Sequence, residues 1–131
     1  MNMKNLRQLA IESSQYSHSP YSLAKVGCAL ETQDGSLYKG CNIENSSYGG
    51  TVCAERVAIW KAVSEGHRRL KKIYVYTRAG WPPCGLCLQV MAEFGDKNTE
   101  ITIGNEKGEE KVYSLSELLP LSFGPEHLKN N

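Results

Sequence analysis

The sequence holds 131 residues, 40% hydrophobic and 22% charged, with a formal net charge of +1. That is enough chain to bury one core without cross-links, so a single domain over residues 1–131 is expected. Near-zero charge excludes binding driven mainly by attraction to nucleic acid or an anionic membrane, and no apolar run nears the roughly 18 residues of a helical span.

The opening stretch "MNMKNLRQLA" has neither the apolar segment nor the small-residue cleavage site of a secretory leader, which predicts a cytoplasmic location. In that reducing compartment, five cysteines read as metal ligands or buried thiols before disulfides. Leu6, Leu9, Ala10 and Ser13 fall at helical spacing and predict an amphipathic first helix, which "SHSPYS" ends at Pro20. Val26 to Glu31 and Ser36 to Ile43 read as two strands around "QDGS", where Asp34-Gly35 suits a tight turn. "NSSYGGTV" is a polar loop. "CAERVAIWKAVSEG" then reads as a helix with apolar Val57, Trp60 and Val63 and a stop at Gly66. "KKIYVYT" is a strand, "CGLCLQVMAEFG" a helix closed by Gly95, and "EITIG" and "KVYSL" are strands joined by "NEKG". "SLSELLP" gives a short last helix capped by Ser114 or Ser116. The order α-β-β-α-β-α-β-β-α with short connections predicts an α/β fold, a single mixed sheet of about five strands sandwiched by helices.

Cys53, Cys84 and Cys87 all sit at predicted helix starts. Exposed N–H groups and the helix dipole there favour thiolate, which is the form that ligates metal. Zinc takes sulfur ligands readily, and three protein ligands leave its fourth position for water, as in catalytic sites. His18, His67 and His127 show no ligand spacing to these cysteines, and Cys28 and Cys41 fall on predicted strands, as small buried hydrophobes. Glu55 lies two residues after Cys53, where a carboxylate can move protons between a metal-activated water and a substrate. Cys-Ala-Glu, about thirty residues, then Pro-Cys-x-x-Cys is the zinc deaminase pattern in its three-cysteine form. Three thiolates on a divalent ion leave an excess negative charge, which Arg56 could withdraw through a hydrogen bond to sulfur.

"PYSLAKVGCALETQDGSLYKGCNIENSSYGGTVCAERVAIWKAVSEG", "PPCGLCLQV" and "LLPLSFGPEHL" together resemble the small homotetrameric cytidine deaminases, from about residue 18 to residue 128. The resemblance implies one zinc per subunit on Cys53, Cys84 and Cys87, with Glu55 as proton shuttle. It implies that Asn42 and Glu44 hydrogen-bond the ribose hydroxyls, and that the backbone around Ala54 meets the base. Tyr48 and Phe123 would build pockets shared between subunits of a homotetramer, and Arg56 would tune the metal. The implied reaction is hydrolysis of cytidine or deoxycytidine to the uridine form with loss of ammonia, a step of pyrimidine salvage.

This chain departs from the family in two places. Ala24 stands where the family usually has phenylalanine, predicting a wider or refilled pocket, and Leu88 stands where arginine is common. Trp81, in "TRAGWPP", is also unusual and has no assigned place. Other readings use fewer of the residues. A strand, a tryptophan and Cys-x-x-Cys opening a helix describe a thiol-redox motif, but leave Cys53, Glu55, Asn42 and Glu44 idle. A structural zinc module leaves Glu55 idle. Within deaminases, the alternatives are an aminopyrimidine nucleoside such as blasticidin S, or cytosine in a polynucleotide touched by the basic run "HRRLKK" at residues 67 to 72. That run reads better as a solvated connection.

Overall fold

A computed structural model describes residues 5–129. Residues 1–4, where the stretch tested for a leader begins, and residues 130–131, at the end of the one-domain span, lie outside the described residues. Helix α1 (Leu6–Ser14) starts at Asn5, whose side chain accepts from the Gln8 amide at 2.8 Å while the Gln8 side chain accepts from the Asn5 amide at 3.2 Å. This reciprocal cap satisfies two N–H groups that the first turn would otherwise leave unpaired. Strands β1 (Gly27–Thr32) and β2 (Leu37–Cys41) form the expected hairpin, with Gly35 at φ 89°, a conformation that glycine adopts freely.

Strand β2 stops at Cys41 rather than running to Ile43. Past it, the Asn42 N–H still donates to the Val26 carbonyl at 3.3 Å, and the side-chain amide takes over the pairing: Oδ1 accepts from Val26 N–H at 3.0 Å and Nδ2 donates to the Ala24 carbonyl at 2.9 Å. Ile43 then makes isolated bridges to His18 and Val52. A 3-10 turn (Tyr48–Gly50) follows, and then helix α2 (Ala54–Ser64). The buried face of α2 is Ala54, Glu55, Ala58, Ile59 and Ala62, whereas Val57 and Val63 are half-buried and Trp60 is 49% exposed. The stripe of Val57, Trp60 and Val63 is thus not the core face. Close approach explains the exchange: a Cβ on Gly40 of β2 would lie 2.7 Å from Ala58 N and 2.8 Å from the Ala54 carbonyl oxygen. The Val57 Cβ would be 3.0 Å away, so the strand has room only for glycine where the first turns of α2 cross it.

Strand β3 (Leu70–Tyr76), helix α3 (Gly85–Phe94), strands β4 (Glu100–Gly104) and β5 (Glu110–Ser114) and the short helix α4 (Leu115–Leu118) complete the predicted order. Ser114, not Ser116, caps α4, in a reciprocal pair with Glu117. A last short helix, α5 (Pro125–Lys129), has no counterpart in the sequence reading. The basic run is partly strand, since Leu70, Lys71 and Lys72 belong to β3, while His67 pairs with Asp34 at 2.9 Å.

The five strands form one mixed sheet in the order β2-β1-β3-β4-β5, with β3 and β4 parallel and the other pairs antiparallel. Side chains alternate between its faces. Cys28, Leu30, Ile73, Val75 and Ile101 pack with α2 and α3 into the main core, while Ala29 and Tyr74 meet Ala10 of α1 on the other face. Because β2 and β3 are both antiparallel to β1, they run the same way. The helices that follow them, α2 and α3, therefore both begin at one edge of the sheet. Open α/β sheets place their sites at such strand ends.

Candidate active site

Both helix starts are cysteines. Cys53 is the N-cap of α2 and Cys84 that of α3, each with extended backbone and neither sulfur capping the first-turn N–H groups of its helix. Cys87 sits one turn into α3, fully buried. The convergence of the two helices brings Cys53 and Cys84 sulfurs to 3.6 Å and those of Cys84 and Cys87 to 3.4 Å, with all three within 4.8 Å of one another.

Zinc fits this donor set. A tetrahedral ion with Zn–S bonds of about 2.3 Å sets its sulfurs about 3.8 Å apart, near the separations seen here. No disulfide joins any of the five cysteines. Hydrogen bonds from Cys87, Arg56 and Cys84, against the cost of burial, hold the Cys53 thiol down at about 5, so one thiolate is available at neutral pH. The same hydrogen bond to Cys53, together with burial, pushes the Cys87 thiol well up. Cys28 is simply a buried thiol, its pKa raised by desolvation and by nearby Glu55, and burial likewise raises half-buried Cys41.

Glu55 lies in the first turn of α2 and is 3% exposed. Burial lifts its carboxyl to about 7, with the Cys53 thiolate adding to the shift and Arg56 opposing it. Arg56 donates from Nη2 to the Cys53 sulfur at 3.4 Å and stacks over the Trp60 ring, 5.8 Å from its centroid. Burial works against its charge, but hydrogen bonds to the Cys53 and Cys87 sulfurs hold the guanidinium above its usual range. Its Nε is buried without a hydrogen-bond partner. Leu88 instead packs against the main core.

A cavity of about 310 Å³ opens beside the sulfurs. Cys53, Cys84, Glu55, Asn42 and Glu44 all line it. Asn42 is buried and spends one donor and one acceptor on the 24–26 backbone, keeping a second of each on its amide. The Glu44 carboxylate accepts from the Ser22 hydroxyl and from the Tyr21 and Ser22 N–H groups at 3.0 and 3.1 Å. These bonds, the hydroxyl first, hold its pKa below the ordinary carboxylate value. Alternate residues 42 and 44 thus tie the loop at residues 21–26 to the cavity wall.

Ala24 also lines the cavity, and so does Trp81. Ala54 is fully buried under the helix start. Tyr48 and Phe123 are not in the cavity wall: they are 76% and 55% exposed, Tyr48 edge-on to Tyr21 and Phe123 stacked on His127. Ser22 and Thr77 also line the cavity, and no sequence signal marks them, because their partners come from distant segments.

A mixed sheet with two helix starts gathering three sulfurs, two of them and a buried glutamate facing one cavity, defines a zinc-dependent hydrolytic site. Residues 1–103 match the family described as the cytidine and deoxycytidylate deaminase zinc-binding region. The chain is 44% identical to a cytidine deaminase of Halalkalibacterium halodurans, covering 99% of this chain and 100% of that one. It is 41% identical to a cytidine deaminase of Sporosarcina psychrophila, over 98% and 96% of the two chains. The crystal structure of a cytidine deaminase from Burkholderia pseudomallei superposes with a TM-score of 0.88 at 39% identity, covering 94% of this chain and all of that one. The protein belongs to the cytidine and deoxycytidylate deaminase family, and its Cys53, Cys84 and Cys87 cluster is positioned to hold a zinc ion.

Proposed function

We propose that the protein hydrolyses cytidine and deoxycytidine to uridine and deoxyuridine with release of ammonia, as a single domain spanning residues 1–131. One observation carries this: Glu55 and two of the three sulfurs share a single cavity with the Asn42 and Glu44 side chains. Zinc held by the three cysteines would supply the Lewis acidity that makes a water nucleophilic near neutral pH.

The remaining chemistry falls to the chain. Glu55, with its pKa near 7, takes the proton the attacking water sheds and gives it to the ring nitrogen beside the amino-bearing carbon. It moves the second water proton to the departing amine. The carbon–nitrogen bond breaks, the oxygen remains as the carbonyl of uracil, and ammonia leaves. Arg56 draws charge from the Cys53 sulfur. The free donor on Asn42 and the ionised Glu44 suit the two hydroxyls of a ribose, and the backbone at Ala54 faces the base.

Tyr48 and Phe123 are large, exposed and outside the cavity wall of one chain, which suits side chains that complete a neighbour's pocket in a homotetramer. The cavity takes a free nucleoside in a cytoplasmic salvage role, with no nucleic-acid partner. Among the described residues, no helix is long and apolar enough to cross a membrane. Full-length identity of 41 to 44% to cytidine deaminases favours cytidine over blasticidin S, and favours a deaminase over a redox or structural zinc module.

The test is incubation of purified, zinc-loaded protein with cytidine, deoxycytidine, cytosine, blasticidin S and single-stranded DNA, following ammonia. Release from the two cytosine nucleosides alone is expected. Release only from DNA or blasticidin S would overturn the reading.

A further inference from the structure

The cavity wall is built from aliphatic, hydroxyl, amide, carboxylate and thiol side chains, with one exception. Among the described residues, Trp81 is its sole aromatic group. Within one chain, the indole is the flat apolar surface this cavity offers a planar pyrimidine. Stacking on an aromatic face is the usual way proteins hold a nucleobase, because every base has a π-face and the contact needs no particular hydrogen-bond pattern.

The backbone that carries the indole, itself 53% exposed, is fixed in advance of any ligand. Thr77, buried at the end of β3, accepts from both the Gly80 and Trp81 N–H groups, at 2.8 and 2.7 Å. Gly80 adopts φ 79°, and Pro82 and Pro83 follow. A turn so constrained loses little freedom when a base docks. Beyond it lies a second cavity of about 640 Å³, and Ser22, Ala24, Thr77 and Trp81 line both. Of these four, Ala24 offers only a methyl group, so the indole supplies most of the apolar surface at the boundary.

We propose that Trp81 is the stacking platform for the substrate's pyrimidine ring and sets the width of the base site on the side of Ala24. The inference rests on the nucleoside reading above. It predicts a split in the kinetics: losing the platform weakens binding of the base while leaving the proton chemistry of Glu55 in place.

Two measurements on the zinc-loaded protein test it. In the first, Trp81→Ala raises KM for cytidine by about 5- to 150-fold, the range expected for one base–aromatic stack, with kcat within about threefold. Trp81→Phe, which keeps a ring, stays within about threefold in KM. Zinc content is unchanged in both. In the second, uridine is titrated while tryptophan emission is followed. The wild type shows a saturable change, and Trp81→Phe, which retains only Trp60, shows none. A wild-type KM in Trp81→Ala, or an undiminished uridine response in Trp81→Phe, overturns the inference and leaves the deaminase reading standing. A wild type that neither deaminates cytidine nor binds uridine overturns both.

Discussion

Arg56 donates to the Cys53 sulfur at 3.4 Å from a position three residues further along the same helix. The helix that presents a zinc ligand thereby also carries the cation that relieves the ligand's charge. Three thiolates on a divalent ion would otherwise leave the centre net negative and any bound water less acidic. Position 88, where the resembling family often has a second arginine, is a leucine packed into the core here.

Arg56→Ala is therefore expected to lower kcat by tenfold or more, about the cost of a lost charge-assisted hydrogen bond, while zinc stays near one per chain. Metal analysis beside turnover checks this. Unchanged turnover in the zinc-replete variant would remove the arginine's assigned task.

The raised pKa of Glu55 links stability to pH. In the metal-free protein the folded state holds a proton on Glu55 up to about 7, whereas an unfolded glutamate releases it near 4.5. Between those values the folded state binds more protons, so this group's contribution to stability declines as pH rises and is smallest above pH 7. The difference of 2.5 pH units corresponds to on the order of 3 kcal/mol. Metal-free Glu55→Gln should accordingly gain on wild type in urea midpoint as pH rises from 5 to 8. A constant gap across that range would contradict the burial argument.

Removal of the metal should abolish deamination and lower the melting temperature, because an ion that binds only the folded sulfur cluster stabilises it by mass action. Restoring zinc should recover both. Chelation that leaves the melting temperature untouched would argue against a Cys53, Cys84 and Cys87 site bridging two helix starts.

Gly40→Ala tests the close seat of α2 on the sheet. The added Cβ would meet backbone atoms of Ala54 and Ala58 at 2.8 and 2.7 Å, which cannot move without the helix. A loss of about 1–3 kcal/mol in chemical denaturation is expected from such overpacking, with a disproportionate fall in kcat because Cys53 and Glu55 ride on the same helix. A neutral substitution would show that the helix sits further out.

The strand and helix order was legible in the chain because alternation, turn residues and caps are local signals. So was the metal cluster, since Cys-Ala-Glu and Pro-Cys-x-x-Cys each encode a helix start at a cysteine. The buried face of α2 was not. Val57, Trp60 and Val63 carry the stronger hydrophobic signal, yet Ala54, Glu55, Ala58, Ile59 and Ala62 are buried, because the helix seats its backbone directly on Gly40 of β2, a contact that exists only once strand and helix meet. Trp81 escaped assignment for a similar reason. Its place in the cavity depends on a turn fixed by Thr77 and on a loop tied down by Asn42 and Glu44 from elsewhere in the chain. Nor was the end of β2 legible, where the Asn42 amide side chain takes backbone partners sixteen and eighteen residues away.

The most direct test of the central claim is uridine formation by zinc-loaded Glu55→Gln, measured with metal content on the same preparation. One zinc per chain with turnover reduced about 10²- to 10⁴-fold is the predicted result, the range by which a positioned proton-transfer group accelerates a reaction. Turnover at the wild-type rate would show that the protons travel by another route, and the site would have to be reassigned.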